Sequence, residues 1–202
     1  MSSNIRIMSN DAYQTELQAL ADIRQGHPFR SAITETPGGS VAVVQMKDVS
    51  PTGLKNRDEL VRTEIRGRKE PDWLQEGDLL FTARGASNYA CVVTGLPGRT
   101  VCTPHLYVLR LKQHGQVLPE FLAWQLNQGP VQRYWAQAAE GSSQLSIRKP
   151  VLEAVPIKVF PIGKQQAVVA LAKLAAAEQQ VLQSLLRNRD MELAAVAEQL
   201  LG

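Results

Sequence analysis

The sequence predicts an α+β protein, a globular domain of mixed strands followed by one long C-terminal helix that pairs in a coiled coil. Three observations carry that reading. Short apolar and β-branched runs, "VAVVQM", "LLFTA" and "HLYVLRLK", stand between Gly- and Pro-containing turns, which is strand and turn wording. The stretch "LPEFLAWQLNQGPVQRYWAQAA" sets its apolar residues at helical intervals. From residue 163 onward there is no proline, and Ala, Leu, Gln and Glu, all strong helix formers, dominate. The expected division is 1–162 for the globular domain and 163–202 for the helix.

In chain order, "TELQALADI" suggests a short helical turn, followed by "GHPFRS", the bend "TPGGS" and the buried strand "VAVVQM". Residues 50–72 mix Lys55, Arg57, Arg62, Arg66, Arg68 and Lys69 with acids. They read as a solvated loop and strand pair, or as a rim that faces phosphates. In "LQEGDLLFTARGASNYACVVTG" a Gly-Asp turn leads into one strand and "RGASN" turns into another, which makes a hairpin. Its tip carries Arg84, Ser87, Asn88 and Tyr89, rich in donors and acceptors with one ring able to stack. "HLYVLRLK" alternates as a strand with Leu106, Val108 and Leu111 available for packing. The next two helices hold core aromatics, with Gly129-Pro130 between them. "VLEAVPIKVFPI" reads as a helical turn and then a strand bounded by Pro156 and Pro161.

On the last helix, Leu171, Leu174, Glu178, Val181 and Leu185 step by three and four. Leu182, Leu186, Arg189, Leu193, Val196 and Leu200 continue on a neighbouring face. A helix of roughly 35 residues runs about 50 Å, longer than such a domain normally buries along itself, so these apolar steps should seek another helix, the alternative being a helix folded back on its own domain.

The totals exclude several classes. With 202 residues, 44% hydrophobic and 20% charged, the chain is ordinary globular protein, and no apolar run approaches a membrane span. The start "MSSNIRIMSNDAYQ" lacks the layout of a secretion signal, so the expected location is cytoplasmic, with no membrane partner. The net charge of +3 is modest, but residues 101–162 hold six Lys/Arg against three Asp/Glu while residues 163–202 hold four of each. The surplus therefore sits in the body, which is compatible with a nucleic-acid partner and equally with a neutral one. Cys91 and Cys102 are too few to staple the domain, and Cys102 with His105 makes at most half a zinc site, so no metal is expected. His27, His105 and His114 stand in unrelated contexts, with no phosphate loop, zincin helix or dinucleotide fingerprint. A thiol hydrolase built on Cys91 or Cys102 with His105 is the weakest alternative, because "TVCTPHLY" sets its Cys and His too close.

Several segments together resemble a known family. "GHPFRS" after a short amphipathic turn, "LQEGDLLFTARG", "FLAWQLNQGPVQRYWAQAAEGSSQLSIRKPVLEAVPIKVFPIGKQQAVV" and the closing helix follow one another as in the specificity subunit of a type I restriction-modification system. The similarity covers nearly the whole chain and is most specific from "GSSQLS" through the Pro-flanked strand into the helix start. Where the family has Glu-Gln, this chain has Lys164-Gln165. Family members contain two recognition domains separated and followed by long helices that pair antiparallel; this chain has room for one of each and looks like a half subunit.

The resemblance implies a non-catalytic reader of double-stranded DNA. Arg84, Asn88 and Gln144 are the expected base readers, with Ser87, Tyr89, Ser142 and Ser143 beside them. Lys55, Arg57, Arg62, Arg148 and Lys149 would position the backbone, and Ser146 would cap a short helix near Ile147. Leu171, Leu174, Val181, Leu182, Leu185, Leu186, Leu193 and Val196 would form the partner helix of a homodimer. The chain itself would hold no cofactor. S-adenosylmethionine would sit on a partner adenine methyltransferase, and a restriction subunit would join the complex. The alternative is an interaction module of the same fold that no longer reads DNA.

Overall fold

A computed structural model describes residues 6–8, 12–29, 31–65, 70–85, 87–113, 115–138 and 146–201. Arg66, Arg68, Lys69, His114, Gly141, Ser142, Ser143 and Gln144 lie outside the described residues. The chain divides into two compact units, Met1–Gln166 and Ala167–Gly202.

The first unit is built from short sheets. A three-stranded antiparallel sheet has the order β1-β2-β12, formed by Arg6–Met8, Ala12–Glu16 and Pro156–Val159. A four-stranded antiparallel sheet has the order β3-β11-β8-β9, from Ala21–Gln25, Leu106–Leu111, Leu79–Thr82 and Ala90–Val92. A third, β10-β4-β7, sets Thr100–Cys102 parallel to Val41–Val44 and pairs the latter antiparallel with Val61–Thr63. Val49–Ser50 (β5) and Gly53–Leu54 (β6) make a small antiparallel pair. The predicted strands "VAVV", "LLFT" and "HLYVLRL" are all present, and Val41–Val44 is buried throughout, as a strand covered on both faces must be.

The expected short helical turn in "TELQALADI" is present as Leu17–Leu20 (α1), set between β2 and β3. Leu17, Leu20, Ala21 and Ile23 are all buried, so the helix-spaced apolar residues are real. Pairing of Ala21–Gln25 with β11 outweighs the local helical preference.

Helices Pro119–Leu126 (α2), Gly129–Ala138 (α3) and Lys149–Glu153 (α4) complete the unit. The aromatics are core as expected: Trp135 meets Phe81 at 5.4 Å between ring centroids, and Phe121 stacks on Trp124 at 5.6 Å. Burying each such side chain contributes on the order of 2 kcal/mol.

Two motif residues acquire a physical reason here. In "QEGD", Gly77 takes φ +85 and Asp78 accepts the Gln75 amide at 2.9 Å while two of its contacts go to Arg110, at 2.8 and 2.7 Å. The Asp78 charge is almost fully enclosed and is answered by that bidentate guanidinium, whose own pKa the Asp78 hydrogen bonds raise. In "GHPF", a Cβ on Gly26 would overlap the Thr103 carbonyl, so only glycine admits this close approach.

The helix Ile162–Leu201 (α5) is one uninterrupted element of 40 residues. Its first turn belongs to the first unit, where Gln165 is fully buried. The Gln165 amide donates to Gln116 O (2.9 Å) and Phe160 O (2.6 Å), and its oxygen accepts the Leu118 amide at 2.9 Å. In the second unit, large apolar side chains stand in solvent, among them Leu171 at 69%, Leu186 at 66% and Leu193 at 62% exposure. No helix among the described residues is long and apolar enough to cross a membrane.

Candidate nucleic-acid interface

The predicted hairpin is formed by β8 and β9, in register from Leu79↔Val92 to Phe81↔Ala90. A tip this wide leaves many backbone groups without ladder partners, and the chain satisfies them with buried polar side chains. Thr82 Oγ1 accepts the Tyr89 amide at 2.9 Å, and the Asn88 side chain donates to Thr82 O at 2.8 Å. From α3, Gln132 donates to Asn88 O at 2.9 Å and to Leu126 O at 3.0 Å. From the residue after α2, Asn127 donates to Ala90 O at 2.8 Å and accepts the Ala90 amide at 2.7 Å.

This bracing corrects two of the tip assignments. Asn88 is only 5% exposed, and its amide is committed to the hairpin's own backbone, so it is not an outward base reader. Tyr89 is partly buried against the core and its hydroxyl donates to Val49 O at 3.0 Å, so its ring is anchored to the core and does not stand free at the tip. Burial raises the Tyr89 pKa, with the Cys91 thiol adding to the shift. Among the described residues of the tip, Arg84 and Ser87 are the side chains left exposed.

Two other segments flank the tip. On one side, a Cβ on Gly85, at φ +113, would come within 3.3 Å of Met46 Cε, which sets the turn Met46–Asp48 against the hairpin. That turn carries Lys47, and the Lys55 amide bonds Asp48 O at 2.7 Å, so both exposed lysines belong to this flank. On the other side, Ile147 donates to Ala83 O at 2.9 Å and Ser146 bridges Arg84, which brings Arg148 beside the tip. Among the described residues, no ion pair holds Lys47, Lys55, Arg84 or Arg148, whereas Lys149 is paired with Glu153 at 3.5 Å. Lys47 is a candidate that sequence reading passed over; the signal was its place in a loop that only tertiary contact with Gly85 makes relevant.

The expected cap is also corrected. Helix α4 begins at Lys149 with Arg148 at the N-cap position and no side-chain cap, while Ser146 is used in the bridge to Arg84. Arg57 and Arg62 turn to a different loop: Arg57 donates to Thr94 Oγ1 and Arg62 to Pro97 O, both at 3.4 Å. That loop leaves the far end of β9, so the predicted cationic rim is two groups and not one.

Both thiols are buried at 1% exposure, and burial pushes Cys91 and Cys102 up to about 12. A buried, protonated thiol is a poor nucleophile, which weighs against the hydrolase alternative. Among the described residues, no group of three His, Cys, Asp or Glu side chains is placed to hold a metal ion.

No protein-family model and no curated protein matches the chain. Solved structures do match. A chain of a type I R-M system superposes with a TM-score of 0.62 at 19% identity, over 96% of this chain and 45% of its own. The HsdS subunit from Thermoanaerobacter tengcongensis gives 0.59 at 19% identity, over 87% of this chain and 39% of its own. The type I restriction-modification S subunit from M. genitalium gives 0.53 at 15%, over 92% and 44%. This chain spans less than half the length of each, and its sheets and long closing helix have the fold of type I restriction-modification specificity subunits.

Proposed function

We propose that this chain is a half-length specificity subunit, a cytoplasmic protein that reads DNA sequence and directs a DNA adenine methyltransferase, and through the complex a restriction subunit, to a bipartite site. The observation that carries this is the S-subunit fold over 87% to 96% of the chain. The braced tip supports it: Arg84 and Ser87 are exposed, and the segments that touch the tip carry Lys47, Lys55 and Arg148, which have no ion pair among the described residues, an arrangement suited to base contacts that specify and phosphate contacts that position. The chain performs no chemistry. S-adenosylmethionine belongs to the methyltransferase, and two copies joined through α5 supply two recognition domains, so the preferred site is a split inverted repeat.

The test is selection of bound duplexes from a random pool, with the chain mixed with a candidate methyltransferase at two salt concentrations. Enrichment of an inverted repeat with a fixed spacer is expected. An active complex that enriches nothing would overturn the reading. One observation favours the second reading, an interaction module that has lost DNA readout: Asn88 and Tyr89 serve the fold. That reading predicts helix-dependent association without salt-dependent binding to DNA.

A further inference from the structure

The arginines of the first unit are held in two different ways. Arg24 is paired with Asp72 and Arg110 with Asp78, each at 2.7 Å, so their charges are neutralised where they stand. Arg57, Arg62 and Arg99 meet neutral groups instead, and all three belong to one loop, residues 94–99. Arg57 donates to Thr94 Oγ1 and Arg62 to Pro97 O, both at 3.4 Å. Arg99, the last residue of the loop, sets its guanidinium 5.5 Å from the centre of the Trp73 ring. Among the described residues, no ion pair holds any of the three.

The loop is shaped to keep them there. Gly95 takes φ +67, and a Cβ on it would overlap Arg57 Nη1, so the Arg57 guanidinium lies against bare backbone. The Glu76 carboxylate fixes that backbone by accepting the Gly95 amide at 3.0 Å and the Leu96 amide at 2.8 Å. Two further acids of this region are also engaged by N–H donors: Glu70 by the Trp73 indole at 3.0 Å and Glu59 by the Asn56 side chain at 2.8 Å. Sheet register keeps the three arginines close. Ala42 stands between Arg62 and Thr100, the residue after Arg99, so two strand spacings, about 10 Å, separate those neighbours. A guanidinium has five N–H donors. One long bond to a neutral oxygen orients Arg57 or Arg62 and leaves its charge and other donors for a ligand.

We infer that Arg57, Arg62 and Arg99 form a phosphate-binding site around the loop 94–99, separate from the hairpin tip, and that its ligand is the sugar–phosphate backbone of the duplex outside the bases the tip reads. This rests on the DNA reading in the proposed function and gives it a second point of grip. Oriented guanidiniums with free charge match phosphodiester oxygens, and they carry no acceptor with which to tell one base edge from another, so the site adds affinity without preference. Its reach fits. Thr94 is five residues along the chain from Tyr89, at most about 17 Å, so a duplex touching tip and loop needs roughly five base pairs between them. Exposed Lys55, on the flank of the tip, is two residues from exposed Arg57, within about 7 Å.

The experiment uses the full chain with its methyltransferase and reads fluorescence anisotropy on two duplexes, one trimmed to the recognised bases and one extended by about ten base pairs on each side. On the extended duplex, Arg57→Ala and Arg99→Ala should each weaken binding roughly tenfold and lower the salt slope by about one, with base preference unchanged. On the trimmed duplex neither should matter. Arg99→Lys, which keeps the charge, should retain most of the salt slope. Both arginines are exposed, and an unchanged urea midpoint excludes a folding defect. Equal losses on both duplexes would put these arginines among the reading contacts and overturn the separate site. Variants that bind the extended duplex as the parent does overturn the site and leave DNA reading intact. If the parent complex binds no duplex, the proposed function fails and calorimetry of the chain with inorganic pyrophosphate decides the site by itself. Heat that Arg99→Ala abolishes keeps the phosphate site and overturns the duplex as its ligand; no heat overturns both.

Discussion

The side-chain amide of Asn127 pairs with both backbone groups of Ala90, donating at 2.8 Å and accepting at 2.7 Å, as a neighbouring strand would. It closes the free edge of β9 without adding a strand. Gln125, two residues earlier, makes the same double contact with Lys158, at 2.9 and 2.7 Å, and closes β12. One helix end thus seals two sheets.

The two amides differ in burial, and their substitution separates geometry from environment. Ala90 is fully buried, so Asn127→Ala strands a donor and an acceptor and should cost about 3 kcal/mol in urea unfolding. Asn127→Asp should be no better at neutral pH, since a carboxylate then faces the Ala90 carbonyl. Gln125→Ala, in an exposed setting, should cost less than about 1 kcal/mol because water replaces the lost partner. Equal losses at both positions would contradict the edge-closing role.

Gln165 should not tolerate its acid. Gln165→Glu keeps the acceptor for Leu118 but removes both donations, to Gln116 O and Phe160 O, and leaves a buried carboxylate facing two carbonyl oxygens. It should destabilise the first unit more than Gln165→Ala at pH 7, by roughly 2 kcal/mol or more, and the gap should narrow as the pH falls and the acid protonates. Denaturant titration followed by tryptophan fluorescence at pH 7 and pH 5 reads both.

The thiols should be silent in the folded protein. Cys91 and Cys102 are raised from 9.0 to about 12, so a thiol reagent at pH 8 should label neither until guanidinium is added, after which both react. These shifts also fix the sign of the linked stability. The unfolded chain ionises its thiols first, so stability should decline as pH climbs from about 9 towards 12.

If the tip reads DNA, Arg84 and its flanks should fail differently. Arg84→Ala should relax preference at one base position by roughly 1 to 3 kcal/mol. Lys47→Ala or Arg148→Ala should weaken all duplexes alike and lower the salt slope by about one. Binding to a base-substitution panel at two salt concentrations distinguishes them, and Asn88→Ala should show as lost stability, not as altered preference.

Much of the fold was legible because its signals are local. "VAVV" declares a strand covered on both faces, "RGASN" a hairpin tip, and the proline-free tail a helix. Features that depend on distant partners stayed hidden. Thr100–Cys102 is a strand only because Val41–Val44 lies parallel to it, and Leu17–Leu20 stops after one turn only because β11 claims Ala21–Gln25. The same holds at the candidate site. Asn88 and Arg84 look equally suited to read a base in sequence; the turn of the tip sends one amide inward and leaves the other side chain outside. Asn127, Gln132 and Gln165 look like ordinary polar helix residues until the backbone groups they satisfy are known.

The bracing of the tip has an evolutionary consequence. Thr82, Asn88, Asn127 and Gln132 hold the loop in shape, and neither exposed side chain, Arg84 or Ser87, contributes a side-chain bond to that frame. Exposed positions of this kind accept exchange at little cost to stability. If the loop reads DNA as proposed, a lineage carrying this frame is free to rewrite what it recognises one residue at a time, with each intermediate still folded, and specificity then diversifies faster than the scaffold.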